Sequence, residues 1–97
     1  MRNKGVYFVE LKLDIAVAKK VEVFGDFAAS KQWKHKLLCE KVNLTQWSLG
    51  VFLRIGDKFK FVVDDGKQYR ASARFPTCFN GMGDQDNLFQ WHLRTSA

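Results

Sequence analysis

The sequence predicts an all-β fold, an immunoglobulin-like antiparallel β-sandwich of about seven strands. Three observations predict it. Hydrophobicity alternates with period two in at least five segments. Turn signals (GDF, DDG, NGMGD) separate those segments at short intervals. No stretch of ten residues carries a helical apolar stripe. The chain has 97 residues, 46% of them hydrophobic and 14% aromatic, enough for one self-sufficient core and too apolar for a disordered chain. A single proline and seven glycines leave no linker or low-complexity segment. Residues 1–97 therefore read as one domain, which could be one module of a longer protein.

Taken in order, VYFVELKL (Val6–Leu13) has mixed alternation in a β-rich composition. KVEVF (Lys20–Phe24) sets Val21 and Val23 on one face and Glu22 on the other. KLLCEKV (Lys36–Val42) reads as a short strand, and WSLGVFL (Trp47–Leu53) aligns Trp47, Leu49, Val51 and Leu53. FKFVV (Phe59–Val63) aligns Phe59, Phe61 and Val63, with Lys60 pointing away from them. DDG (Asp64–Gly66) reads as a hairpin turn, because Asp tolerates and Gly favours the positive φ such turns need. KQYRA (Lys67–Ala71) is a further short strand, and NLFQWHL (Asn87–Leu93) aligns Phe89, Trp91 and Leu93 against Gln90 and His92.

Several function classes find no support. No apolar run nears the roughly 20 residues that cross a bilayer, and acidic residues interrupt the N-terminus where a secretory leader would be apolar. A cytoplasmic location without membrane contact is expected. Cys39 and Cys78 lack metal-binding spacing and read first as two buried free thiols, with a disulfide between them as the alternative. The net charge of +6 raises nucleic acid as a partner, but the basic residues are scattered. Their densest group, KQWKHK (Lys31–Lys36), reads first as a solvated loop. No zinc-finger, RNA-recognition or helix-turn-helix pattern accompanies it, so a nucleic-acid partner is not expected. His35 and His92 stand in no catalytic or metal motif. Carboxylate pairs exist at Asp64 and Asp65 and at Asp84 and Asp86, but so small a sandwich offers no deep cleft for glycoside chemistry. The expectation is a non-catalytic protein without a cofactor.

Two aromatics stand out because they end polar turns. Trp33 is flanked by Gln32 and Lys34, and Tyr69 follows the DDG turn. Flat rings on turns suit the C–H face of a sugar, and aromatics lose few torsions on binding. Trp47 and Trp91 follow the buried face of strong strands and read as core. Tyr69 could equally cover a sheet edge.

The order of features then resembles a known family: strand, GDF turn, Trp33, an apolar strand opened by Trp47, the run G-x-x-F-K-F-V-V-D-D-G (Gly56–Gly66), Tyr69, and G-D-Q-D-N-L-F-Q-W (Gly83–Trp91). It is similar to the starch- and glycogen-binding modules of carbohydrate-binding module family 48, the type found in the AMP-activated kinase β subunit, and to the related family 20. The resemblance runs from about Val6 to Leu93. It implies a sandwich that binds α-1,4-linked glucan (glycogen, starch or maltooligosaccharide) and tethers a protein or enzyme to it. It also implies site residues. Trp33 and Tyr69 fall at the two stacking aromatics and Lys60 at the binding lysine. Met82, Asp84, Asp86 and Asn87 fall in the stretch where family 48 often reads L-G-T-V-N-N, with Met82 at the apolar wedge and Asp86 at the ligand-binding asparagine. An Asp there accepts hydrogen bonds but cannot donate as an amide does. That departure, with the smaller Tyr69, keeps open a second reading: a module of the same fold whose sugar site has degenerated and whose partner is a protein, or the rest of a larger chain.

Overall fold

The computed structural model describes residues 5–79 and 85–90. Of the expected site residues, Met82 and Asp84 lie outside the described residues, as do Trp91 and His92. Nine strands are present among the described residues: β1 (Val6–Asp14), β2 (Val21–Asp26), β3 (Leu37–Leu38), β4 (Glu40–Asn43), β5 (Gln46–Arg54), β6 (Lys58–Val63), β7 (Gln68–Arg70), β8 (Thr77–Phe79) and β9 (Gln85–Leu88). One 3-10 turn, Ala28–Ser30, follows β2. The fold is an all-β sandwich of two antiparallel sheets. One sheet has the order β1-β5-β4. The other has the order β3-β2-β6-β9-β8, with β7 paired to β6 beyond the end of β9.

Period-two alternation supplies the core from both sheets. Leu11, Leu13, Trp47, Val51 and Leu53 face inward from the first sheet, and Val21, Val23, Phe59, Phe61 and Val63 from the second. Trp47 is buried, as its place on the strand face predicts. Between the sheets, the Ser72 hydroxyl donates to the Lys12 carbonyl at 2.6 Å, joining β1 to the chain segment that leads towards β8. Asp14 and Arg74 reinforce the same corner with two hydrogen bonds of 2.8 and 3.0 Å, and the guanidinium holds the Asp14 carboxyl below its usual value.

Three details differ from the sequence expectation. The run expected as one strand over Lys36–Val42 is two, because the chain changes sheets at Cys39: β3 pairs with β2, and β4 pairs with β5. The Cys39 amide bonds the Val21 carbonyl at 2.9 Å on the way. The expected strand Asn87–Leu93 begins two residues earlier and, among the described residues, runs from Gln85 to Leu88; residues 91–93 of it lie outside the described residues. Single bonds carry the ladders one step past the strand: the Phe89 amide donates to the Asp57 carbonyl, the Leu88 amide to the Pro76 carbonyl, and the Gly56 amide to the Phe89 carbonyl. A third strand edge, β8, lies in a segment whose pattern carries no alternation signal. Cys39 and Cys78 are both free; Cys39 is buried, whereas Cys78 is only half-buried.

Candidate functional site

The outward face of the six-stranded sheet carries the cluster of interest. On β2, Phe24 stands on the side opposite Val21 and Val23, and its cross-strand partner on β6 is Lys60. The Trp33 ring meets Phe24 edge-on, with centroids 5.1 Å apart and planes at 88°. On the other side lies Tyr69, 6.3 Å from Phe24 and tilted by 46°. Phe24 and Trp33 are half-buried, and Tyr69 is 50% exposed. The Lys36 ammonium sits 6.0 Å from the Phe24 ring centroid, within cation–π range. Trp33 and Tyr69, predicted as a pair of platforms, are thus joined by a third ring between them.

The loop that holds Trp33 is unusual. Lys31, Gln32 and Trp33 all have positive φ (51°, 52° and 74°), a conformation that costs a non-glycine residue about 1–2 kcal/mol. The surrounding bonds enforce it. The Trp33 amide donates to the Gly25 carbonyl at 2.7 Å, and the Lys34 and His35 amides both reach the Ser30 carbonyl, at 2.9 and 2.8 Å. The fully buried Ser30 hydroxyl accepts from the Gly25 amide at 3.0 Å and donates to the His35 carbonyl at 2.6 Å. Phe27, also buried, anchors the turn in the core. The loop is therefore riveted to β2 at Gly25, one residue from Phe24, which fixes the two rings relative to each other.

Tyr69 is held by the hairpin before it. Asp64, Asp65 and Gly66 all have positive φ, as the DDG pattern predicts. Asp64 has a structural role: its carboxylate accepts the Lys19 and Lys20 amides at 2.7 and 2.9 Å. The Tyr69 hydroxyl lies so near Gly66 that an added methyl group there would stand 3.4 Å from it.

The remaining expected residues sit elsewhere. Lys60 does point away from Phe59 and Phe61, but it is 6% exposed and pairs with Asp86 at 3.5 Å, itself 6% exposed. The lysine and the residue at the expected asparagine position thus engage each other beneath the face. Asn87 is fully buried and clamps the chain: its carbonyl oxygen accepts the Ser72 amide at 2.6 Å, and its amide donates to the Ser72, Phe75 and Pro76 carbonyls. It stands on the core side of the sheet with Phe59, its partner on β6, away from the rings. The residue that the sequence reading passed over is Phe24. Its signal was present, since the alternation of KVEVF puts Phe24 on the face of Glu22, where a large apolar side chain has no core to fill.

A second surface lies on the other sheet. Phe8 and Phe52, directly paired across β1 and β5, are 66% and 63% exposed and meet edge-on at 5.1 Å. With Leu49 of the same sheet, and with Leu38 and Ala28 contributed by the six-stranded sheet and the turn after β2, they border an open apolar groove of about 550 Å³. No group of three or more His, Cys, Asp or Glu side chains among the described residues is arranged to hold a metal ion. No helix among them is long and apolar enough to cross a membrane. A scan against protein-family models finds no match, and no curated protein matches the chain.

Proposed function

We propose that the chain is a non-catalytic module that binds α-1,4-linked glucan across the Trp33–Phe24–Tyr69 face and tethers an attached or associated protein to polysaccharide. The observation that carries this reading is the three-ring cluster on the outward face of a rigid sheet, where one packed ring would have sufficed to cover Lys60 and Val62. Rings turned by 88° and 46° to one another form a bent apolar surface. A bent surface matches the curvature of an α-1,4 chain better than a flat one, with sugar C–H faces on the rings and hydroxyls reaching the polar rim. The site is shallow, so the dissociation constant should be of the order of micromolar or weaker.

The test follows tryptophan fluorescence during titration with maltoheptaose or a cyclic α-glucan, and gel retardation in glycogen. A saturable signal and retardation, both lost in Trp33→Ala, are expected. Unchanged fluorescence together with unretarded migration of the wild type would overturn the reading. The second reading, a protein-binding module with a degenerate sugar site, is favoured by two features: the Lys60–Asp86 pair and the exposed Phe8–Phe52 groove. It predicts that Phe52→Ser, and not Trp33→Ala, abolishes partner binding.

A further inference from the structure

Lysines crowd the margin of the ring cluster. Lys31, Lys34 and Lys36 border it on the Trp33 side and Lys67 lies two residues before Tyr69, and all four are exposed. None of the four has an ion-pair partner among the described residues. Three of the nearby carboxylates are already engaged, and a fourth, the exposed Asp26, stands across the ladder from Lys58 at the far end of β2. Asp65 is bonded by Lys20 at 2.8 Å, and Glu22 lies 4.0 Å from the same ammonium. Asp86 is taken by Lys60. Lys20 holds the Asp65 carboxyl below its usual value, and Lys36 and Lys67 add to that effect from the ring side. The outcome is a set of lysines without an ion-pair partner among the described residues at the margin of an apolar platform, where cations outnumber unengaged carboxylates.

A neutral glucan has no use for such a frame, since its rings need aromatic faces and its hydroxyls need neutral or mixed partners. A phosphate monoester is different: it carries nearly two charges at pH 7 and three strong acceptor oxygens, and lysine serves such groups as a point charge. We infer that the site takes anionic α-glucan, a chain bearing phosphate monoesters, with the rings holding the sugar and the flanking lysines reading the phosphate. This rests on the glucan reading above. Lys36 is the best placed of them, because its ammonium already lies over the Phe24 ring, 6.0 Å from its centroid. Single-stranded nucleic acid shares the charge but fits the rings less well. Successive bases stack on separate accessible ring faces along a groove, whereas these three rings crowd within 5.1 and 6.3 Å of each other with no two planes parallel.

The experiment compares one phosphorylated amylopectin preparation before and after phosphatase treatment, at low and at high salt. Binding about tenfold tighter before treatment is expected, the worth of one or two charge-assisted hydrogen bonds. That ratio should shrink with added salt and collapse towards one in the double variant Lys34→Gln/Lys36→Gln, with the variant's thermal midpoint confirming its fold. Equal affinity for the treated and untreated glucan would overturn the inference while leaving glucan binding intact. Absence of binding to either would remove both. Displacement of the phosphorylated glucan by an equal concentration of oligothymidylate would also overturn it, in favour of nucleic acid.

Discussion

Gly25 and Phe24 are neighbours in sequence and opposite in demand. A methyl group added at Gly25 would stand 2.0 Å from the Lys58 carbonyl oxygen and 2.7 Å from the Phe59 Cα. Both are backbone atoms of β6, which cannot step aside without breaking the β2–β6 ladder. Gly25→Ala is therefore expected to destabilise the domain by about 3 kcal/mol or more, read as the shift in urea midpoint. A shift under about 0.5 kcal/mol would mean that β2 and β6 separate freely at this point. The GDF signal marks a turn in the sequence, yet the glycine serves close strand approach, a fact that depends on a partner strand some thirty residues away. Phe24 shows the converse. Its outward position was legible from alternation alone, but its companions were not, because Trp33 and Tyr69 reach it through a loop and a hairpin whose paths depend on positive-φ residues.

At the scale of elements, the strands were legible and their junctions were not. Each long strand carries its own alternation, so β1, β2, β5 and β6 appear close to their expected bounds. The sheet change at Cys39 has no local signature, since LLCEKV reads as one strand whichever sheet each half joins. The site residues divide in the same way. Trp33 and Tyr69 could be placed on turns from sequence. The fates of Lys60, Asp86 and Asn87 depend on which residues β9 brings across from β6, and on Asn87 being turned towards three carbonyls around Ser72. The loop from Phe27 to His35 yields a further prediction. Ser30→Ala removes a buried hydroxyl that serves the Gly25 amide and the His35 carbonyl at once. A loss of about 1–3 kcal/mol in stability is expected. A drop in glucan affinity should accompany it under conditions where the variant remains folded, because Trp33 loses the rivet that fixes its approach to Phe24. Unaltered glucan affinity in the folded variant would show that the loop keeps its shape without Ser30.

For the whole molecule, the sandwich carries two surfaces with different chemistry, a cationic aromatic face on one sheet and an apolar groove that bridges both sheets, and the seam between the sheets has a titratable reporter. Cys39 lies where the chain passes from one sheet to the other. Burial pushes its thiol up to about 12 from an ordinary value of 9.0, with the Glu22 carboxylate adding to the shift. The folded thiol keeps its proton where the unfolded one has lost it, so between pH 9 and 12 the unfolded state binds fewer protons and stability must fall as pH rises. Below pH 9 the contribution is complete. Part of any alkaline loss comes from Lys20, whose value is raised by Asp65 and which acts in the same direction. The comparison that isolates the thiol is therefore wild type against Cys39→Val, with urea midpoints at pH 8 and pH 10.5. The wild type should lose more stability between the two than the variant, and equal losses would show that water reaches the sulfur in the folded state. Thiol labelling gives an independent check at pH 8. The half-buried Cys78 should react first, and Cys39 only at the rate at which the two sheets come apart.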